Sequence, residues 1–192
     1  MPPKSTEAKL SPARRIAVCS LLAAVLALLG CFKIPGVIPG TEFQLSAPFA
    51  VCIAACFGFA NYFKIGLLAS LINFLLGTHT LVNITVAMVF RLVAGGLISL
   101  VGANPLTLLV SGPLGTGVGR LVLAAVLSVE PLPLLLASLP GMAYTALGSL
   151  LLYPVMRRLV QRIYGTLPNP QAAKEIIHYD NKTPDDNKTP AI

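Results

Sequence analysis

Arg91 lies in the apolar run "LVNITVAMVFRLVAGG", preceded at steps of four by Ala87 and Asn83. Steps of four keep residues on one helical face. Gly112, Thr116 and Arg120 repeat the pattern, as do Gly141, Thr145 and Ser149, while Ser70, Asn73 and Gly77 follow one another at three and four. Lipid offers polar side chains no partners, so these stripes are expected to face a bundle interior or a wet cavity. An arginine in mid-membrane costs about 2.5 to 3.5 kcal/mol on insertion scales, so something anionic or carbonyl-rich should meet Arg91. One such partner would be the carbonyls of a helix broken around "SGPLGTG" (Ser111 to Gly117), where Pro113 removes a donor. The other is an anionic ligand. Arg120, nearer the outer end of its helix, is the first cation that a ligand entering from outside would reach.

Binding is the chemistry these residues suit. The sequence holds no P-loop, HExxH or GxSxG pattern, and Glu42 and Glu130 do not form a recognisable acid/base pair. Cys52 and Cys56 share a helix face, but no histidine or carboxylate neighbours them to complete a metal site, so they read as buried thiols. No enzyme activity, cofactor or metal is expected, and any use of ATP must come from another polypeptide.

The elements that would position the stripes are membrane helices. The 192 residues are 55% hydrophobic and 11% charged, against about 25% charged in soluble proteins. Between Ile16 and Met156 the only charges are Lys33, Glu42, Lys64, Arg91, Arg120 and Glu130. The net charge of +7 therefore belongs to the flanks of the apolar region and does not imply nucleic acid. Lys4, Lys9, Arg14 and Arg15 precede that region and Arg157, Arg158 and Arg162 follow it, which puts both termini on the cytoplasmic side.

An all-α, polytopic bundle of six transmembrane helices is expected over residues 16–160. Its runs are Ile16–Phe32, Ala47–Tyr62, Ile65–Leu76, Leu81–Val101, Leu106–Val129 and Leu132–Met156, the second and third turning at "NYFK". Residues 1–15 form a basic cytoplasmic start, and 161–192 a cytoplasmic, disordered tail of polar composition. The outer connections are Lys33 to Ser46, Gly77 to Thr80 and Ser128 to Pro133. In the first, two Pro-Gly turns precede "TEFQL", which permits a short extended segment and suggests a lid over an outer pocket. Glu42, Gln44, Asn73, His79, Asn83, Arg91, Thr116 and Arg120 are the candidate ligand contacts.

The first helix carries small residues instead of polar ones: Ser20, Ala23, Ala24 and Ala27, with Ala17 above them. Small residues four apart admit a second helix at close range, and Ala23-x-x-x-Ala27 is the strict form.

The basic start "RRIAVCSLLAAVLALLG", the loop "IPGVIPGTEFQL" and six short spans resemble the S component, the substrate-capturing membrane subunit, of energy-coupling factor transporters. The resemblance covers roughly residues 12–163. It implies a subunit of a bacterial or archaeal cell membrane that binds a vitamin or similar micronutrient from outside and topples to release it inside. It also implies a transmembrane coupling protein and two ATPase subunits as partners, the coupling protein meeting the small-residue row of the first helix. The interior arginines lean towards an anionic substrate. A stand-alone secondary transporter or channel is the alternative and a membrane enzyme the third reading; Arg91 and Arg120 lack an acidic residue at matching depth for the former, and carboxylate or histidine clusters are missing for the latter.

Overall fold

The computed structural model describes residues 12–35 and 42–164. It is a helical bundle of α1 (Pro12–Cys31), α2 (Ser46–Leu75), α3 (Leu81–Val101), α4 (Pro105–Leu127) and α5 (Pro131–Tyr164), with a small hairpin between the first two helices. Four of the helices, α2 to α5, are long and apolar enough to cross a membrane, and α1 holds a shorter apolar stretch, Arg15–Cys31. Large apolar side chains such as Leu100, Leu151 and Leu75 stand exposed on the outside, at 83%, 76% and 76%. That inverts a soluble surface and suits lipid. The chain is a membrane protein.

Six separate runs were expected, and the described residues form five helical elements. The second and third runs lie in one, α2, which is interrupted at Gly58 (φ 75°, ψ 168°) and not at the "NYFK" turn. Only glycine adopts that backbone region without strain. The break is a reversal, as the packing shows. Ala47 and Asn73 border the same cavity of about 210 Å³. On a straight helix they would stand about 39 Å apart, at 1.5 Å per residue. Residues 46–57 and 59–75 therefore run back along each other, and each half is shorter than the roughly 20 residues of a straight span.

The extended segment expected in the first outer connection is present. β1 (Lys33–Pro35) pairs antiparallel with β2 (Glu42–Gln44) in the register Lys33↔Gln44, Ile34↔Phe43, Pro35↔Glu42. β2 touches α1 and α5. Residues 36–41 between the strands lie outside the described residues, as do 1–11 and 165–192, which contain most of the basic start and of the tail expected to be disordered.

The helix broken around Ser111 to Gly117 is not found: α4 continues as helix through Pro113. Its glycines serve close packing instead. A Cβ at Gly115 would stand 3.1 Å from the Phe90 carbonyl oxygen, and one at Gly119 would stand 3.2 Å from Val86 Cγ1. Between membrane helices, where lipid is as apolar as leucine, such close backbone approach is the main source of packing energy. The same two contacts fix the register of α3 against α4.

A candidate ligand cavity and what lines it

The register of α3 against α4 decides how the two arginines stand. Pairing Phe90 with Gly115 and Val86 with Gly119 sets Arg120 level with Thr85 of α3. Arg91 is six residues further along α3, a separation of about 9 Å along the axis. Both arginines, together with Asn83, Ala87 and Thr116, line the cavity of about 210 Å³.

The turn from α2 to α3 places two further lining residues. Gly77, at φ 69°, lets the chain leave α2. The Asn73 carbonyl then accepts from the Thr78 and His79 amides at 3.0 and 3.2 Å and from the Thr78 hydroxyl at 2.9 Å. The Thr80 hydroxyl accepts from the Asn83 amide at 3.3 Å and caps the new helix. Asn73 and His79 thereby reach the cavity while remaining buried, at 3% and 8% exposure. Gly30 of α1 makes room for them, because a Cβ there would come within 2.8 Å of Asn73 Nδ2 and 3.7 Å of His79 Cε1.

Arg91 is held more firmly than its depth alone suggested. Its Nη1 donates to Ser70 Oγ at 2.8 Å and approaches Met88 Sδ at 3.7 Å. The partner is a hydroxyl on the second half of α2, not the carbonyls of α4. No carboxylate pairs with Arg91 among the described residues. The residue is 8% exposed.

Six of the eight residues expected to contact ligand border this one cavity: Asn73, His79, Asn83, Arg91, Thr116 and Arg120. Glu42 and Gln44 have backbone positions in β2, but their side chains lie outside the described residues. α5 contributes Ser138, Tyr144 and Thr145, which were not among the candidates. Thr145 belongs to the Gly141–Thr145–Ser149 stripe and Ser138 extends it by one turn, so the signal was in the sequence. Ser149 itself is turned away from the cavity. It is fully buried and its hydroxyl donates to the Leu108 carbonyl at 3.1 Å, tying α5 to α4.

The small-residue row of α1 divides. Ala23 and Ala27 are 0% and 3% exposed and pack in the chain's own core, with Leu26, Val51 and Ile53. As a pair they cannot form a partner surface. Ser20, Ala24 and Ala17 are exposed. The strict four-residue pair serves internal packing, because α1 meets the rest of the bundle through that face.

No carboxylate occurs among the described residues lining the cavity, and no group of three His, Cys, Asp or Glu among the described residues is placed to hold a metal. The arrangement is a chamber of mixed polar and apolar lining that includes two arginines.

Comparison with known proteins gives this chamber a family. Protein BioX of Lysinibacillus sphaericus is 49% identical over 144 residues, which make up 75% of this chain and 85% of that protein. The chain belongs to the BioX family. No family model and no solved structure matches it. Identity at this level over most of both chains implies that BioX shares the helical bundle described here.

Proposed function

We propose that this BioX relative is the substrate-capturing subunit of an importer of the energy-coupling factor type, taking up a vitamin or similar micronutrient that carries a carboxylate. The observation behind the reading is the cavity itself. It is lined by two arginines and by no carboxylate among the described residues, and it lies at the end of the bundle where α1 leads into the hairpin. Biotin, a monocarboxylate with a hydrogen-bonding ureido head, fits this chemistry and is the first compound to test. Its carboxylate would meet an arginine, and Asn73, Asn83 and Ser138 could serve the ureido group. The hairpin would cover the chamber.

In this proposal the chain crosses the membrane six times, the two halves of α2 acting as short spans, with both termini cytoplasmic and the cavity opening outward. The basic residues Arg15, Arg157, Arg158 and Arg162 all belong to the end opposite the cavity, in keeping with the usual cytoplasmic bias. Energy would come from a transmembrane coupling protein and two ATPase subunits encoded separately. The exposed face of α1 around Ala17, Ser20 and Ala24 offers the coupling protein a close approach, replacing the Ala23 and Ala27 pair.

Two measurements test the proposal. Isothermal titration of the purified protein with biotin should give saturable one-to-one binding, and no heat with biotin or with other vitamin carboxylates would remove the assigned role. Single cysteines at Thr78 and Asn104, both exposed, should label from outside and only after permeabilisation, respectively. The reverse pattern would overturn the orientation.

A further inference from the structure

Among the polar residues of the cavity, Arg91 has the most constructed surroundings. Gly66, on the second half of α2, lies directly under its side chain: a Cβ there would overlap Nε and Cδ of Arg91 and stand 3.0 Å from Cζ. Ser70, one turn further on the same face, accepts from Nη1 at 2.8 Å, and Met88 on Arg91's own helix lies 3.7 Å from the same nitrogen. Gly66 and Ser70 are both buried. The guanidinium has five N–H donors in a fixed plane. Both of these contacts use Nη1, and among the described residues none is made by Nη2 or Nε. One nitrogen is anchored, and Arg91 is among the residues that border the cavity.

We infer that Gly66 and Ser70 are positioning residues that set Arg91 as the fixed receptor for the anionic group of the ligand, Gly66 being the specificity-determining position. The inference rests on the proposed function for the identity of its ligand, but its geometry stands apart from it. A group held in place before binding loses less conformational freedom when it binds, which favours affinity. Arg91 meets that condition because the missing side chain at Gly66 leaves a slot the width of its aliphatic stem. A methyl at position 66 fills the slot and displaces the middle of the side chain, not only its flexible end, so the planar fork must leave its bearing. A ligand whose anionic group is replaced by a neutral amide gains nothing from the slot.

The test uses the full chain in detergent with two probes, biotin and its uncharged carboxamide. Wild type should bind the acid more tightly than the amide. Arg91→Ala and Gly66→Ala should each weaken the acid roughly ten- to hundred-fold, as expected for loss of a charged hydrogen bond, and bring the acid-to-amide ratio close to one. Ser70→Ala should reduce the ratio and Ser70→Thr restore it. The double variant Gly66→Ala/Arg91→Ala should be no worse than Arg91→Ala alone, since contacting residues that act as one unit are not additive. A Gly66→Ala protein that keeps the wild-type ratio while Arg91→Ala loses it would overturn the inference, as would additive losses in the double variant. If wild type binds neither probe, the substrate proposal falls, and the melting temperatures of wild type, Gly66→Ala, Arg91→Ala and the double variant decide the seat. There, non-additive shifts support it and additive shifts overturn it.

Discussion

The cavity wall built by α3 and α4 and the small-residue face of α1 were both visible as helical stripes, yet only the first faces where its pattern suggested. Asn83, Ala87 and Arg91 on α3 and Thr116 and Arg120 on α4 all look into one chamber. On α1, Ala23 and Ala27 face the core while Ser20 and Ala24 face out. The difference is energetic. A polar stripe has one tolerable direction in a bilayer, because exposure to lipid leaves its donors and acceptors unsatisfied. A stripe of alanines is tolerated against lipid, against its own bundle or against another protein. Polarity carries orientation, and smallness does not.

The comparison is broken most visibly at Ala23. This residue is 0% exposed, and Ala23→Trp adds a large ring where no space exists. Overpacking in a core usually costs about 1 to 3 kcal/mol and sometimes more, so folded yield should collapse. Ala24→Trp, one residue along but on the exposed face, should leave the melt and ligand binding unchanged and stop ATP-dependent uptake in the assembled transporter. If Ala23→Trp folds and binds normally, the division of the row is wrong.

The polar wall gives the next effects in size. Arg91→Ala should both weaken an anionic ligand and lower the melting temperature, because the Ser70 hydroxyl loses its partner and the Gly66 slot is left empty. A melt unchanged from wild type would show that the seat contributes nothing to stability. Arg120→Ala should weaken the same ligand by roughly ten-fold, near the lower end of about 1.5 to 3 kcal/mol for a charged hydrogen bond. Its melt should move less than that of Arg91→Ala, and the reverse order would interchange the two arginines' roles.

Smaller again is Thr116→Val, which keeps the shape and removes one hydroxyl from the lining. A neutral hydrogen bond contributes about 0.5 to 1.5 kcal/mol, so titration should register a loss of roughly two- to ten-fold. The smallest effect expected is that of Ser20→Ala. On the exposed side of α1 it should alter neither melting nor affinity, and a loss of affinity would place Ser20 in the ligand's surroundings.

Much of the site was legible because membrane sequences punish polar residues that lack a role. Helical spacing was enough to name Asn73, Asn83, Arg91, Thr116 and Arg120, and the outer connection added His79; spacing failed for Ser138 because that residue sits one turn before the stripe that was recognised. The helical bundle and an extended segment after α1 followed from composition and punctuation. The reversal within α2 was legible as an event but misplaced. Asn61 and Lys64 are polar and drew the turn towards themselves, whereas the chain turns at Gly58, the residue whose backbone can take φ 75°. The Asn61 side chain instead accepts from Arg15 Nη2 at 3.0 Å, linking the start of α1 to α2.

Sequence alone determined which residues must hide from lipid, since the cost of an unpartnered donor in hydrocarbon depends only on residue type and helical spacing. Tertiary structure alone decided what each hidden residue meets. Whether Arg91 would find carbonyls, a carboxylate or a hydroxyl depended on which helix lay opposite at its depth. That helix is the second half of α2, brought there by a reversal at one glycine and allowed close by another, Gly66. No local rule links residues 58, 66 and 91; only the packing of the folded chain brings them together.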